Sequence, residues 1–211
     1  MEDKNHKQEE RIRKQLAFSV EIDKEKEIGR QTYLASGSRK EDDAEHAWHM
    51  AIMAYLLREH ANEKIDILRT IMMILTHDLV EVYAGDTYAY DEEGKKSQKQ
   101  RELAAADKLY PILPEDQAEE MRALWDEFEA GQTPEAKFAH AMDNLQPMII
   151  NVASDGISWT EKDVYLQQVL DRNACTHEGS EILWDYAVDK YLRPSVEKKW
   201  LIASEEEKKA L

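Results

Sequence analysis

Residues that interrupt helices are scarce in this chain, and that scarcity constrains its fold more than any other feature. Only seven glycines and five prolines occur among the 211 residues. Residues that favour helices, among them alanine, leucine, glutamate, lysine, glutamine and methionine, dominate the remainder. Apolar residues also recur at helical spacing, as at Ala47, Met50, Ala51 and Ala54. The sequence therefore predicts an all-α fold, in a chain long enough for one domain with a substantial core.

The predicted domain is residues 16–200, a single unit between two polar ends. Residues 1–15 predict a polar lead-in, and residues 201–211, rich in lysine and glutamate, predict a solvated tail. Residues 29–40 predict an irregular segment, because Gly37 and two serines interrupt regular structure there. Helices are predicted over 16–28, 43–59, 65–81, 98–108, 115–129 and 134–155, from Thr160 onwards, and from Ser180 to a stop before Pro194.

The net charge of −16 limits the partners that this chain can bind. A polyanion such as DNA or RNA would be repelled, and the sequence offers no strong basic patch to overcome the repulsion. The single cysteine, Cys175, excludes an intrachain disulfide, and the longest apolar run, 71–75, is too short to span a bilayer. The charged segment Met1–Lys14 lacks the apolar stretch of a signal peptide. These features predict a cytoplasmic protein whose partners include neither a nucleic-acid polymer nor a membrane.

Four polar residues stand out against apolar surroundings: His46, His77, Asp78 and Asp143. Imidazole and carboxylate groups together are typical ligands of a divalent ion such as Mn²⁺, Co²⁺, Fe²⁺, Mg²⁺ or Zn²⁺. Adjacent His77 and Asp78 point about 100° apart on a helix, so they can share an ion only near the helix end. His46 and Asp143 would then supply ligands from other helices. Spacing alone leaves a second interpretation open, in which these are helix residues that bind nothing.

The segments around these four residues resemble the motifs of the HD superfamily. Segment 45–50, Glu-His-Ala-Trp-His-Met, resembles the first-histidine motif of that family. Segment 76–86, Thr-His-Asp-Leu-Val-Glu-Val-Tyr-Ala-Gly-Asp, is similar to the signature of its 5′-deoxynucleotidase branch. Segment 141–147, Ala-Met-Asp-Asn-Leu-Gln-Pro, resembles the closing aspartate motif. The order and the separations of the motifs also agree, and the resemblance covers residues 27–156.

The resemblance implies a globular helical bundle that holds one divalent metal ion, with a ligand set comprising His46, His77, Asp78 and Asp143. It also implies that Glu81 is the catalytic glutamate and that Asp86 helps to position Glu81 or the attacking water. Arg30 and Arg39 match the arginine-bearing segment with which the family binds phosphate. Gln31 stands where the deoxynucleotidase pattern has tryptophan, and this difference leaves the base and sugar preference open.

Elementary chemistry agrees with these implied roles. A phosphomonoester carries about two negative charges at neutral pH, so an acidic chain needs a local metal ion or arginine to hold it. Glu81 follows His77 and Asp78 by about one helical turn and is expected to face the same cavity. Its carboxyl group can take a proton from water or give one to the leaving 5′ oxygen. The alternative, a solvated glutamate in the last turn of helix 65–81, is disfavoured because a helix C-terminus repels negative charge.

The residues and the resemblance together predict a metal-dependent phosphomonoesterase that acts on a nucleoside 5′-monophosphate and favours deoxynucleotides. Two alternatives stay open. One is the same hydrolase acting on another phosphorylated metabolite, and the other is a catalytically weak HD domain that senses a nucleotide or a metal ion. The complete set of ligand candidates, together with Glu81, favours the enzyme. Apolar helix faces and the resemblance also favour a homodimer.

Overall fold

The predicted all-α fold is confirmed by the structure, a computed structural model that describes residues 2–210. The helices are α1 (Glu2–Glu21), α2 (Asp43–Leu57), α3 (Ile67–Thr76), α4 (Glu81–Ala84), α5 (Glu92–Leu109), α6 (Glu115–Ala130), α7 (Pro134–Ala153), α8 (Ile157–Glu161), α9 (Leu166–Arg172), α10 (Thr176–Gly179), α11 (Glu181–Ala187), α12 (Arg193–Glu197) and α13 (Glu205–Ala210). Short 3₁₀ turns lie at Ile22–Glu27, Arg58–His60 and Tyr110–Ile112, and a π-helical turn spans Val188–Leu192. Among residues 2–210, no helix is both long enough and apolar enough to cross a membrane.

A two-stranded antiparallel hairpin replaces the irregular segment predicted over residues 29–40. Strand β1 spans Gly29–Tyr33, and strand β2 spans Lys40–Asp42. The residues that suggested irregular structure belong to the connecting turn, where Gly37 has a φ of +68°, a conformation that glycine adopts without strain. The hairpin matters for function because β1 carries Arg30 into the interior, where its side chain is 15% exposed.

Helix α7 is the centre of the domain, with α2, α3, α6 and α10 packed around it. Thr133 caps its N-terminus by accepting a hydrogen bond from the Ala136 amide at 3.2 Å. Pro134 occupies the first turn, where a helix has no partner for the missing amide. Met142 is fully buried in the large apolar cluster around this helix. Its neighbour in sequence, Asp143, is therefore also carried into the interior.

The packed part of the chain extends beyond residues 16–200 at both ends. Helix α1 runs without a break through the predicted boundary at residue 15. Arg11, within the predicted lead-in, pairs with Asp116 through two hydrogen bonds of 2.7 and 2.8 Å. At the other end, Leu201 belongs to the predicted tail but is only 2% exposed and packs in the core. Parts of both polar ends thus contribute to the fold.

The helix predicted over 65–81 is wrong at its C-terminal end, where the candidate site residues lie. Helix α3 stops at Thr76, and Glu81 begins the separate short helix α4. The His77 side chain donates from Nδ1 to a carbonyl oxygen of the last turn of α3 at 2.7 Å, which satisfies an acceptor at the helix end. The turn between α3 and α4 therefore presents His77, Asp78 and Glu81 together. Because Glu81 starts a helix, the argument from a helix C-terminus does not apply to it.

Several other helix boundaries differ from the sequence-based prediction, and three of them have a local cause. Helix α5 begins at Glu92 rather than at residue 98, because Asp91 accepts hydrogen bonds from the first-turn amides. Helix α8 begins at Ile157 rather than at Thr160, directly after Gly156 in the left-handed region. Pro194 lies in the first turn of α12 rather than beyond a helix end, a position that proline tolerates.

The packing of α10 against α7 provides a test of the fold. Gly179 has no Cβ, and a Cβ added there would overlap the Lys137 carbonyl and lie 2.9 Å from the Ala141 Cβ. We predict that Gly179→Ala lowers the free energy of unfolding by about 1–3 kcal/mol, the usual cost of overpacking. Gly29→Ala is the control, because an added Cβ there meets nothing within 4 Å. Denaturant unfolding measures both variants, and equal stabilities would contradict the described packing.

Candidate active site

A cavity of about 390 Å³ opens among β1, the α3–α4 turn, α7 and α9. Most of the residues that the sequence singles out line its wall: Arg30, His77, Asp78, Glu81, Asp86 and Asp143. His46, on α2, lies fully buried behind this wall, with its Nε2 3.1 Å from Asp143 Oδ1. The fold therefore gathers side chains from a strand, a turn and two helices into one place.

Three of the four candidate metal ligands converge, and the fourth lies beside them. Donor atoms of His46, His77 and Asp143 all lie within 4.8 Å of one another. Asp78 adjoins this group through His77, whose Nε2 is 3.0 Å from Asp78 Oδ2. Donors from separate elements that meet in one buried place are what a protein needs to enclose a single ion.

Hydrogen bonds behind His46 determine which ring nitrogen faces the cluster. The Gln146 amide nitrogen donates to Glu41 Oε2 at 2.9 Å, so Gln146 Oε1 points the other way, toward His46 Nδ1, also at 2.9 Å. An amide oxygen can only accept, so Nδ1 carries the proton. The neutral His46 ring therefore presents its bare Nε2 to Asp143. Two acceptors that face each other at this distance repel unless positive charge lies between them.

His77 is held in the same way. Its Nδ1 lies 2.7 Å from the Ile74 carbonyl oxygen, which can only accept, so Nδ1 carries the proton. The Nε2 lone pair then faces Asp78 Oδ2 at 3.0 Å and Asp143 Oδ1 at 3.9 Å. Histidines that ligate metals usually donate their other N–H to a carbonyl or a side chain in this manner. Both rings are thus oriented as ligands of an ion at the centre of the cluster.

Buried polar atoms without a hydrogen-bond partner surround the cluster within the part of the chain that the structure describes. They are Glu25 Oε1, Glu41 Oε1, Asp43 Oδ2, His77 Nε2 and Glu81 Oε2. Buried acceptors of this kind are costly unless a cation or a proton satisfies them. Imidazole nitrogens combined with carboxylate oxygens suit divalent ions such as Mn²⁺, Co²⁺, Fe²⁺ and Zn²⁺. The residues present therefore fit a divalent ion.

The protonation equilibria show the same demand for positive charge. Burial alone would lower the pKa of His77, but the charge of Asp78 and the hydrogen bond to it raise that pKa to about 9. Burial, aided by a nearby guanidinium, lowers the pKa of His46 to about 4. Burial alone would raise the pKa of Asp143, but an arginine on α9 and the two histidines hold it well below its usual range. Without a metal ion, the cluster is therefore expected to bind a proton on His77.

Glu81 lies beside the cluster and is 7% exposed. Burial first, and then the charges of Asp78 and Asp43, raise the pKa of Glu81 well above its usual range. Asp43 is fully buried, and its charge is one of the neighbouring charges that raise the pKa of Glu81. Asp43 is absent from the residues that the sequence singles out, and its neighbour Asp42 provides the α2 cap. Asp86 also lines the cavity, and burial raises its pKa.

The two arginines that the sequence singles out lie in different surroundings. Arg30 lies in the cavity wall, where its Nη1 donates to Asp43 Oδ1 at 3.0 Å and to Asp78 Oδ2 at 2.8 Å. Arg39 is exposed on the protein surface, where it pairs with Glu45 at 2.8 Å. The structure therefore brings Arg30 to the site and leaves Arg39 outside the cavity wall.

Arg172, the last residue of α9, is a cavity residue that the sequence does not reveal. Its Nη2 donates to Asp143 Oδ2 at 2.9 Å, and its Nη1 donates to Asn144 Oδ1 at 2.6 Å. No local motif marks this residue, because its carboxylate partner lies 29 positions earlier and only the folded chain brings the two together.

Comparison with known proteins agrees with the geometry. A family model described as "HD domain" matches residues 22–184. The 5′-deoxynucleotidase HDDC2 of Homo sapiens is 30% identical over 145 residues, 69% of each chain, and that of Bos taurus is 32% identical over 146 residues, 69% of this chain and 68% of the relative. A crystal structure titled as a predicted metal-dependent phosphohydrolase from Magnetospirillum magnetotacticum MS-1 is similar with a TM-score of 0.86 and 44% identity, covering 92% of this chain and 96% of that one.

The helical fold, the converging histidines and aspartates, and these similarities define the class of protein. The chain belongs to the HD-domain family and is a metal-dependent phosphohydrolase of that family. The matched segment contains all four candidate ligands, and it also contains Glu81, Arg30 and Arg172.

The buried acids and His77 predict how the stability of the metal-free protein depends on pH. Burial raises the pKa values of Glu25, Glu41 and Glu129 to about 7, and carboxylate charges raise that of His77 to about 9 despite its burial. All four values lie above those of unfolded residues, so the folded state binds more protons and loses stability as pH rises. In a chelator, the thermal unfolding midpoint should fall between about pH 5 and about pH 9.

A divalent ion should reduce this fall, because it takes the place of the proton on His77. Differential scanning fluorimetry with and without Mn²⁺ measures both curves. A midpoint in chelator that rises over the same pH range would contradict the assigned protonation states.

Proposed function

We propose that this protein hydrolyses phosphomonoesters and that its substrates are nucleoside 5′-monophosphates, with deoxynucleotides preferred. One observation carries the proposal: two imidazole rings and the carboxylates of Asp78 and Asp143 meet beside the buried carboxyl group of Glu81, whose pKa is raised by burial and by its acidic neighbours. A cation site and a proton donor in one cavity can stabilise the phosphoryl charge and protonate the leaving oxygen when a phosphomonoester is cleaved. The relatives named 5′-deoxynucleotidase support the choice of substrate, and the cavity volume is typical of small-molecule sites.

Residues of this chain account for binding and proton transfer in the proposed reaction. A divalent ion held by His46, His77, Asp78 and Asp143 would offset part of the phosphate charge and activate water for attack. A guanidinium group in the wall orients the phosphoryl oxygens. Glu81 gives its proton to the 5′ oxygen as the bond from that oxygen to phosphorus breaks, and water supplies the new oxygen on phosphorus. The proton lost by the attacking water restores the acid, and Asp86 is proposed to position Glu81 or that water.

Aromatic side chains give the cavity a second, less polar region. Its rings belong to Tyr88, Tyr90 and Trp159, and the two tyrosine rings meet edge to face with centroids 5.3 Å apart. Flat apolar surfaces with polar edges suit a nucleobase or a sugar. The same region would also accept a different phosphorylated metabolite with an apolar part. The aromatic rings therefore support a small organic phosphate as the substrate, but they do not select one nucleobase over another.

A sensor that binds a nucleotide or a metal ion without turnover is the second candidate. It would use the same ligands, but it would have no need for a proton donor next to them. The buried Glu81, whose pKa is raised by burial and by the charges of Asp78 and Asp43, therefore favours the enzyme. A homodimer in the cytoplasm also belongs to this proposal, and α2 presents an exposed apolar stripe on which two copies could meet: Trp48, Ile52, Tyr55 and Leu56.

Phosphate release from a panel of substrates tests the proposal. The panel comprises the deoxy- and ribonucleoside 5′-monophosphates, each with Mg²⁺, Mn²⁺, Co²⁺ or Zn²⁺, and free phosphate is detected with malachite green. We expect release from at least one nucleoside monophosphate, dependent on the ion and abolished by EDTA. Metal-dependent nucleotide binding without phosphate release would instead establish the sensor.

Substitution of Glu81 tests the proposed acid. We predict that Glu81→Gln lowers kcat by a factor on the order of 100 or more, the usual contribution of general acid–base catalysis. The metal content should stay near that of the wild type, because Glu81 is not among the four proposed ligands. Glu102→Gln is the control, since Glu102 also lines the cavity but accepts a hydrogen bond from Gln98 at 2.8 Å. Loss of metal together with activity would make Glu81 a ligand, and unchanged turnover would remove it from the mechanism.

A further inference from the structure

The cationic side chains of the cavity wall differ in how much charge they can offer to an anion. Within residues 2–210, the lysine and arginine residues that line the cavity are Arg30, Lys95 and Arg172. Arg30 is enclosed by carboxylates, with Asp78 at 2.8 Å, Asp43 at 3.0 Å and Glu41 at 4.0 Å. Three acidic neighbours around one guanidinium leave little net positive charge, and only 15% of the Arg30 side chain is exposed. Its three acidic neighbours therefore leave Arg30 with less charge to offer a phosphate than a guanidinium with a single carboxylate partner.

Arg172 differs from Arg30 in both charge balance and exposure. It pairs with one carboxylate, Asp143, while its other hydrogen bond goes to the neutral amide of Asn144, and 35% of its side chain is exposed. Asn144 is itself fixed in orientation, since its Nδ2 bonds to Thr176 Oγ1 at 3.0 Å. A guanidinium has five N–H donors, so these two hydrogen bonds leave further donors at the cavity wall. Arg172 is thus held in place with capacity for another acceptor.

Asp143 separates Arg172 from the candidate ion. Its Oδ1 lies 3.1 Å from His46 Nε2, whereas its Oδ2 faces Arg172 at 2.9 Å. A divalent ion on the Oδ1 side would offset negative charge of Asp143 that otherwise balances Arg172. The positive charge of Arg172 would then be available to an anion that lies in the cavity next to the ion.

We propose that Arg172, rather than the enclosed Arg30 or the exposed Arg39, is the residue that clamps the phosphoryl group of the substrate. The inference rests on the proposed function, because it requires a phosphate beside the metal centre. A planar guanidinium presents parallel N–H bonds that match two oxygens of one phosphate, a geometry that an ammonium group cannot reproduce. Removal of such a charge-assisted contact weakens binding by roughly 10- to 100-fold.

Arg172 would have a different role if it served only to orient Asp143. An orienting residue acts through the metal ion, so its loss should weaken metal binding even when no phosphate is present. Loss of a residue that hydrogen-bonds to a metal ligand commonly lowers metal affinity by about 10- to 100-fold. A residue that contacts the substrate should instead affect phosphate binding at saturating metal. Two separate titrations therefore distinguish the roles.

Isothermal titration calorimetry on the full chain provides both titrations. The first adds Mn²⁺ to the metal-free protein, and the second adds inorganic phosphate to the protein saturated with Mn²⁺. Arg172→Gln removes the charge, and Arg172→Lys keeps the charge but removes the planar fork. Arg122→Gln is the control, because Arg122 also pairs with aspartates, Asp107 and Asp126, but lies outside the cavity wall.

We expect Arg172→Gln to raise the Kd for phosphate by roughly 10- to 100-fold and Arg172→Lys to raise it by a smaller factor. The Kd for Mn²⁺ should change by a smaller factor than the Kd for phosphate, because Arg172 contacts the Asp143 oxygen that faces away from His46. The Arg122→Gln protein should match the wild type in both titrations. The same variants should raise KM for whichever monophosphate the wild type hydrolyses.

An unchanged phosphate Kd in Arg172→Gln would overturn the proposal, and so would a loss of Mn²⁺ affinity as large as the loss of phosphate affinity. If Arg172→Gln does not fold, as judged by circular dichroism, Arg172→Lys decides, and a wild-type phosphate Kd in that variant overturns the proposal. A wild type that binds no phosphate at saturating Mn²⁺ also overturns it. Failure of the proposed function looks different, because the wild type would then bind Mn²⁺ and phosphate but release no phosphate from any monoester.

Discussion

Two hydrogen bonds on the outer sides of two imidazole rings determine what this protein can hold at its centre. The Nδ1 protons of His46 and His77 are engaged by Gln146 and by the Ile74 carbonyl, so both Nε2 lone pairs face inward. The groups that they face are carboxylates, which are acceptors as well. Buried acceptors that face one another need a proton or a cation among them, so a divalent ion bound there would stabilise the fold as well as create the site.

The remaining architecture supplies the charges around this centre. Helix α7 brings Asp143 inside, and the hairpin and α9 each contribute one arginine. The two arginines are not equivalent, because Arg30 contacts the Asp78 oxygen that faces His77, whereas Arg172 contacts the Asp143 oxygen that faces away from His46. Arg30 thus competes with a metal ion for the same oxygen, while Arg172 leaves the metal-facing oxygen of Asp143 undisturbed. This difference in contacts is the reason that we propose Arg172, rather than Arg30, as the phosphate-binding residue.

The sequence predicts the long helices and the residues of the candidate metal cluster. It does not predict the short elements, because their bounds depend on contacts between residues that only the folded chain brings together. Helix α7 is predictable because its apolar residues repeat at helical spacing for five turns, and a cap and a proline mark its start. The end of α3 at Thr76 could not be predicted, because the side chain of His77 bonds there to the backbone carbonyl of Ile74, a contact that only the folded structure shows. The hairpin could not be predicted from the sequence, because the glycine and serines of its turn make up much of a short segment and suggest irregular structure.

The candidate site shows the same division. His46, His77, Asp78 and Asp143 can be singled out from residue type and order together with the resemblance of the surrounding segments to the motifs of the HD superfamily. Arg172 and Asp43 cannot, since each is defined by a partner that is distant in sequence. Arg39 shows the converse: it precedes β2, lies outside the cavity wall and pairs with Glu45 on the surface.

Anomalous diffraction from crystals grown with Zn²⁺ tests the central claim most directly. One strong peak should lie between the Nε2 atoms of His46 and His77, within about 2.0–2.2 Å of each and of the Asp78 and Asp143 carboxylates. The Nδ1 atoms of both rings should keep their hydrogen bonds to Gln146 and to the Ile74 carbonyl. A zinc ion bound through either Nδ1, or an ordered cluster that binds no ion at saturating Zn²⁺, would contradict this account.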